Sequence, residues 1–397
     1  MTQAGPVLVP KGFKFSSAKA GIKSSGKPDL ALILAESKTS AAALFTKNLV
    51  VAAPVEVGRT SLTRSHGRIR AVIVNSGNAN CATGRPGIRD CKRVCAEGAS
   101  LLNLKPPEVF PSSTGIIGVP LPVEKITAQL RSLISSAGTS LKYLQQFSEA
   151  ILTTDSKPKL ASVPLRSGCG VITGVAKGAG MIHPQLATML VYLLTDVAAE
   201  AAELRSALRK ACDDSFNLIS IDGDTSTNDT VLLLASGASG VSYKSVRKEF
   251  DRALLEVCRS LAEQIVADGE GVQHVIRLRI DQAKNRVEAL QIARAISHSL
   301  LVKTAWAGAD PNWGRILAVI GRSGVPVNPE KIKIHIGDQM VCRGAVACTF
   351  DQNAAHEELS KPECRVSVQL GTGKASIEFL TTDLSAEYVR VNAEYST

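Results

Sequence analysis

The stretch MIHPQLATMLVYLLTD, residues 181–196, changes character at its middle. A Gly- and Pro-bearing segment, KGAGMIHPQLA (177–187), ends there, and an unbroken apolar run from Met189 to Leu194 begins. A short apolar run bounded by turn residues predicts a buried strand. Thr188 stands at its mouth, and two readings of it are open. Thr is β-branched and favours strands. Alternatively, the chain is cut before Thr188, which becomes a new N-terminus that does chemistry.

On either side the pattern mixes strands and helices. Leu30–Leu34 (LALIL) and Ala71–Val74 (AVIV) read as buried strands. Residues 88–102 and 122–134 read as helices, the second with Ile126, Leu130, Leu133 and Ile134 at helical spacing. A helix is expected near 199–212, and another over 247–266 with Phe250, Leu254, Cys258, Leu261 and Ile265 in register. Period-two alternation then takes over at Ile276–Ile280 and Ile332–Ile336, followed by CRVSVQL and ASIEFL. These elements predict an α/β or α+β protein with layered sheets. A main catalytic domain is expected over 1–275, with a smaller strand-rich domain over 276–397.

At 397 residues with 45% hydrophobic and 21% charged residues, the composition is that of an ordered globular chain. No apolar stretch reaches the roughly 18 residues needed to cross a bilayer. Nine scattered cysteines fit a reducing cytosol better than a disulfide framework. Neither they nor the six histidines form a ligand set, so no metal is expected. Of the net charge of +10, residues 1–70 contribute +8, with 11 Lys or Arg against 3 acids. With aromatics at 4% and no nucleic-acid motif, this charge reads as a solvated basic face.

Several apparent motifs fail on inspection. GIKSSGKP (21–28) has P-loop spacing, but Pro28 stands where a Mg²⁺-binding hydroxyl is required. GCGVITG (168–174) and GVAKGAG (174–180) do not spell a dinucleotide fingerprint. What remains is a series of polar, glycine-bearing clusters read as loops. They are NSGNANCATG (75–84), SSTGIIG (112–118), TTD (153–155), AKGAGMIHP (176–184), IDGDTSTND (221–229), ADGEG (267–271), KTAWAGADPNWGRI (303–316) and YVRVNAEYST (388–397). Small polar loops of this kind are what compact polar binding sites are built from.

In this order the clusters, together with GFKFSSAKAGIKSSGKPDLALI near the start, resemble the ornithine acetyltransferases, or glutamate N-acetyltransferases, of arginine biosynthesis. The resemblance runs over essentially the whole chain. It implies the layered αββα sandwich of the DmpA/ornithine-acetyltransferase type, a cytoplasmic enzyme, and an assembly of two α and two β chains. It also implies self-cleavage between Ala187 and Thr188. The chemistry of such a cut is plain: a threonine hydroxyl needs a base to take its proton. A free α-amine, with a pKa of roughly 7.7–8.0, is one on the same residue. A peptide nitrogen is not, because its lone pair is delocalised.

The implied substrates are N2-acetylornithine and glutamate, with no cofactor; whether acetyl-CoA also serves as acetyl donor stays open. By resemblance, Thr188 is the nucleophile, and the Thr114 hydroxyl and Gly115 N–H stabilise the oxyanion. Substrate contacts are carried over to Thr153 or Thr154, Lys177, Thr188, Glu270, Asn392 and Thr397. Lys177 suits a carboxylate and Glu270 an ammonium. IDGDTSTND and DPNWGR are family markers expected to be scaffold. Two departures bear on acceptor choice: Val272-Gln273-His274 replaces the family's common Ala-Thr-Lys, and Tyr395-Ser396-Thr397 its common Tyr-Arg-Thr. A hydrolase or aminopeptidase on the same self-cleaving architecture is the alternative reading.

Overall fold

The computed structural model describes residues 6–165, 168–183 and 189–394, and the apolar runs form strands of three sheets. The first elements are β1 (Phe13–Ala18), β2 (Leu30–Ala35), β3 (Ser40–Phe45), α1 (Ala53–Arg64), β4 (Ala71–Asn78), α2 (Gly84–Leu101) and β5 (Val109–Ile116). Next come α3 (Val123–Ser135), α4 (Leu141–Ala150), β6 (Lys159–Pro164), β7 (Val171–Lys177), β8 (Leu190–Thr195), α5 (Ala201–Asp213), β9 (Thr230–Ala235) and α6 (Tyr243–Ala267). Sheet one has the order β1-β2-β4-β5, and sheet two β3-β9-β8-β7-β6.

These two sheets lie face to face between helical layers. Phe15, Ile33, Val72 and Val74 of sheet one meet Val175, Leu190, Tyr192, Leu194 and Leu232 of sheet two, with Leu144 and Phe147 of α4 closing one end. The other face of sheet one, through Leu30, Leu32 and Ile73, packs on Val57 of α1, Cys91 and Cys95 of α2 and Leu130 of α3. The other face of sheet two, through Ile172, Val191, Leu193 and Val231, packs on Leu204 and Leu208 of α5 and Leu254 and Leu261 of α6. The result is an αββα sandwich. It explains the unbroken apolar run that begins at Met189. Even-numbered residues of β8 face sheet one and odd-numbered ones face the helices, so neither face is free to be polar.

The remaining elements are β10 (Val275–Ala283), α7 (Arg286–Ser297), α8 (Leu300–Ala307), α9 (Trp313–Gly321), β11 (Lys333–Ile336), β12 (Gln339–Arg343), β13 (Val346–Ala347), α10 (Gln352–Leu359), β14 (Glu363–Gln369), β15 (Ala375–Thr382) and α11 (Ala386–Glu394). Their strands form sheet three, in the order β13-β12-β11-β14-β10-β15. Only one of its faces is apolar: Ile276, Leu278 and Ile280 pack with Ile292 and Ile296 of α7 and Ile316 and Ile320 of α9. On the opposite face Arg277 pairs with Glu263, Glu363 and Glu378. No helix among the described residues is long and apolar enough to cross a membrane.

Two clusters read as loops prove to be strand ends. β4 continues through NSGN to Asn78 and β5 through SSTGI to Ile116, paired in parallel with Asn75 opposite Ser113 and Ser76 opposite Thr114. Several of their polar side chains find partners: Ser113 Oγ donates to Asn75 Oδ1 at 2.6 Å, Asn75 Nδ2 to the Asn78 carbonyl at 2.8 Å, and Ser76 Oγ to the Ala150 carbonyl at 2.5 Å. Buried polar groups that find partners are compatible with a buried strand, although their composition reads as turn.

Candidate active site

A cavity of about 240 Å³ opens where β5 and β7 end, and its wall continues along the loop before β9, the turn after α6 and helix α11. Seven of the expected site residues line it: Thr114, Gly115, Thr153, Thr154, Lys177, Glu270 and Asn392. Ala187, Thr188 and Thr397 lie outside the described residues. Asp222, Asp224, Ser226, Thr227, Asn228 and Tyr388 also line the cavity. IDGDTSTND is therefore wall as well as scaffold. DPNWGR is not part of the cavity: within it Asn312 caps α9, its Oδ1 accepting from the Arg315 N–H at 3.3 Å.

Thr114 and Gly115 take their places from the β4–β5 pairing. Gly115 has φ +131°, and a Cβ there would lie 2.4 Å from the Gly77 carbonyl carbon, so only glycine fits. Asn228 locks this corner from the other sheet, its Nδ2 donating to the Ala79 carbonyl at 2.7 Å and the Ser113 carbonyl at 2.9 Å.

Lys177, the last residue of β7, is buried and donates through Nζ to Thr114 Oγ1 at 3.3 Å. Asp155 Oδ2 lies 3.8 Å from the same ammonium. Burial lowers the Lys177 pKa below the ordinary lysine value, and Asp155 is the strongest influence raising it. Burial pushes the Asp155 carboxyl up, but Lys177, Lys159 and the Gly178 N–H outweigh it and hold the group at about 2. Asp155 is thus held as a carboxylate beside Lys177 Nζ.

Glu270 sits across the cavity. Its N–H donates to the Ala179 carbonyl at 2.9 Å, and its Oε2 accepts from Asn392 Nδ2 at 3.0 Å. Gly180 leaves it room, since a Cβ at that position would fall 2.4 Å from Oε2. Asp222 accepts the N–H groups of Met181 at 2.6 Å and Ile182 at 2.9 Å, and the Tyr388 hydroxyl donates to it at 3.4 Å. Burial raises Asp222 to about 6 against the lowering pull of the Asp224 and Met181 N–H donors. Asp229, raised by burial, accepts the Met189 N–H at 3.0 Å, so one segment holds the backbone at Met181–Ile182 and again at Met189.

Asp155, Asp222, Asp229, Asn228 and Tyr388 are not among the site residues expected from the sequence. Tyr388 had a legible signal: it stands four residues before Asn392, which puts both on one face of a helix. Asp155 belongs to the TTD cluster, in which the expected contacts are the threonines.

A family model, that of the ArgJ family, matches residues 14–397. The arginine biosynthesis bifunctional protein ArgJ of Geobacter sulfurreducens is 42% identical over 394 residues, covering 98% of this chain and 99% of the relative. The glutamate N-acetyltransferase of Methanopyrus kandleri is 43% identical over 395 residues, covering 98% and 99%. Among solved structures, the arginine biosynthesis bifunctional protein ArgJ of Bacillus halodurans is similar at 38% identity and a TM-score of 0.48, covering 50% of this chain and 96% of that one.

Proposed function

The chain belongs to the ArgJ family and is an acetyltransferase, and from that premise we propose that it moves the acetyl group of N2-acetylornithine to glutamate through an acetyl-threonine at Thr188. In this reading the chain first cuts itself between Ala187 and Thr188, which frees hydroxyl and amine together. The amine takes the hydroxyl proton as Oγ attacks the acetyl carbonyl. The oxyanion then meets the Thr114 hydroxyl and Gly115 N–H, each such donor being worth roughly 3–4 kcal/mol in other enzymes. Ornithine leaves with a proton on its amine, and glutamate's amine attacks the acetyl ester in the second half of a ping-pong cycle. Lys177 receives the α-carboxylate and Glu270, steadied by Asn392, the side-chain ammonium; Thr153 or Thr154 and Thr397 complete the contacts.

The observation that carries this reading is the gathering of Thr114, Gly115, Lys177 and Glu270 on one cavity. A cation and an anion on one cavity suit the two ends of a diamino acid. Acetyl-CoA stays open as a second acetyl donor, and in that role it is a substrate and not a resident cofactor. We place the enzyme in the cytoplasm as an assembly of two α and two β chains.

The first experiment is an intact mass under denaturing conditions, followed by acetyl exchange between acetylornithine and glutamate. Two species meeting at Ala187/Thr188, with exchange abolished in Thr188→Ala, are expected. A single species of about the full 41.9 kDa that still exchanges acetyl groups overturns the N-terminal mechanism. Release of acetate without transfer favours the hydrolase.

A further inference from the structure

The charges behind Lys177 alternate in sign through the interior. Asp268, the residue after α6, lies 2.6 Å from Lys159 Nζ, which lies 2.7 Å from Asp155 Oδ1. Asp155 Oδ2 then lies 3.8 Å from Lys177 Nζ, which donates to Thr114 Oγ1 at 3.3 Å. The four charged side chains are 0–4% exposed, so each depends on its neighbour for compensation. Of these, Lys177 alone lines the cavity.

An ammonium donates and cannot accept. The bond from Lys177 therefore occupies a lone pair of Thr114 Oγ1 and turns the hydroxyl proton away from the lysine. No described residue accepts that proton, and Thr114 lines the cavity. We propose that Asp155 is a positioning residue for the acyl transfer: it holds the Lys177 ammonium against Thr114 Oγ1 and so fixes the Thr114 hydroxyl as a donor toward the acetyl oxygen. The inference rests on the reading of Thr114 as an oxyanion donor. Asp155 acts through two other side chains and does not line the cavity. Its own geometry is set by Lys159 and by the Gly178 N–H, which donates to Oδ1 at 2.6 Å.

Lys177 is faced by Asp155, Lys159, Glu270 and Asp229, and by Lys23 from the β1–β2 connection. Asp155 is the nearest of the anions, and its removal leaves only Glu270 and Asp229 to oppose burial and the two lysines in holding the Lys177 proton. The ammonium is then lost at lower pH, and with it the orientation of Thr114.

The test is the pH dependence of kcat for acetyl exchange. In Asp155→Asn the alkaline limb moves down by about a unit or more. In Asp155→Glu the limb stays, because the charge is kept, while kcat falls because the ammonium is displaced. In a Thr114→Val background, Asp155→Asn adds less than about a twofold further loss, since both changes remove the same donor. A folded Asp155→Asn enzyme with an unmoved limb overturns the relay, as does a loss that multiplies with that of Thr114→Val. Should Asp155→Asn fail to fold, Asp155→Glu decides, and wild-type kcat there overturns it. Wild-type kcat in Thr114→Val removes the oxyanion reading and the relay together; a loss in Thr114→Val with independent effects removes the relay alone.

Discussion

Two glycines at the cavity respond differently to a methyl group. At Gly180 the nearest atoms to an added Cβ all belong to the Glu270 carboxyl, the far end of a flexible side chain. At Gly115 they are backbone atoms of Gly77 and Asn78, and φ +131° is closed to other residues. Gly180→Ala is therefore expected to fold within about 1 kcal/mol of wild type and to push Glu270 off its contact with Asn392. A charged hydrogen bond is worth about 1.5–3 kcal/mol, so KM for acetylornithine should rise roughly 10- to 100-fold, with a smaller change in kcat. Gly115→Ala has no such escape and should destabilise the β4–β5 corner by more than about 2 kcal/mol. Denaturant melts and steady-state kinetics on the two variants separate the cases. A Gly180→Ala enzyme with unchanged KM would mean that Glu270 does not touch the donor.

At the scale of elements, what was legible and what was not follows from how each element meets its neighbours. The run from Met189 to Leu194 announces a strand covered on both faces, and β8 is one. Ile276–Ile280 alternates because sheet three has one wet face. NSGN and SSTGI misled because glycine, serine and asparagine report local turn preference, whereas here they are held extended by partners far along the chain. Asn228 is the clearest of these partners. It binds carbonyls 149 and 115 residues away, a fact that no local window contains. Asn228→Ala leaves two buried carbonyls without that donor, each worth about 1–3 kcal/mol. A loss of about 2–4 kcal/mol is expected in urea unfolding, with kcat falling because Thr114 follows Ser113 directly. A variant as stable as wild type would show that the β4–β5 ends hold their conformation without the second sheet.

At the scale of the molecule, sheet three joins the sandwich through Leu380, which packs into the sandwich core, and through polar contacts that have their own response to acid. His298, which follows α7, shares a 3.3 Å contact with His183 and a 3.1 Å contact with Ser220 Oγ, both on segments of the sandwich. Thr382 of β15, whose carbonyl and Oγ1 accept from Lys303 on α8, the latter at 3.1 Å, donates through Oγ1 across the junction to the Ile221 carbonyl at 3.4 Å. Burial, with His183, Lys303 and Arg294 as neighbours, lowers His298 to about 4. Its unfolded value is about 6.5, so the unfolded chain binds the proton first as pH falls. The stability it contributes is full above about 6.5 and is lost as pH falls through about 4. Asp222 has the opposite sign: held at about 6 in the fold and about 3.9 unfolded, it adds stability as pH falls from 6 toward 4. Wild type should thus show a shallow decline of Tm between pH 6.5 and 4. His298→Gln, which keeps a hydrogen-bonding group beside Ser220, leaves the Asp222 contribution unopposed and should turn that decline into a rise. Asp222→Asn, which keeps an acceptor for the Met181 and Ile182 N–H groups, should steepen it. Thermal melts of the three proteins across this range check the signs, and parallel curves would mean that neither group senses the junction through its protonation.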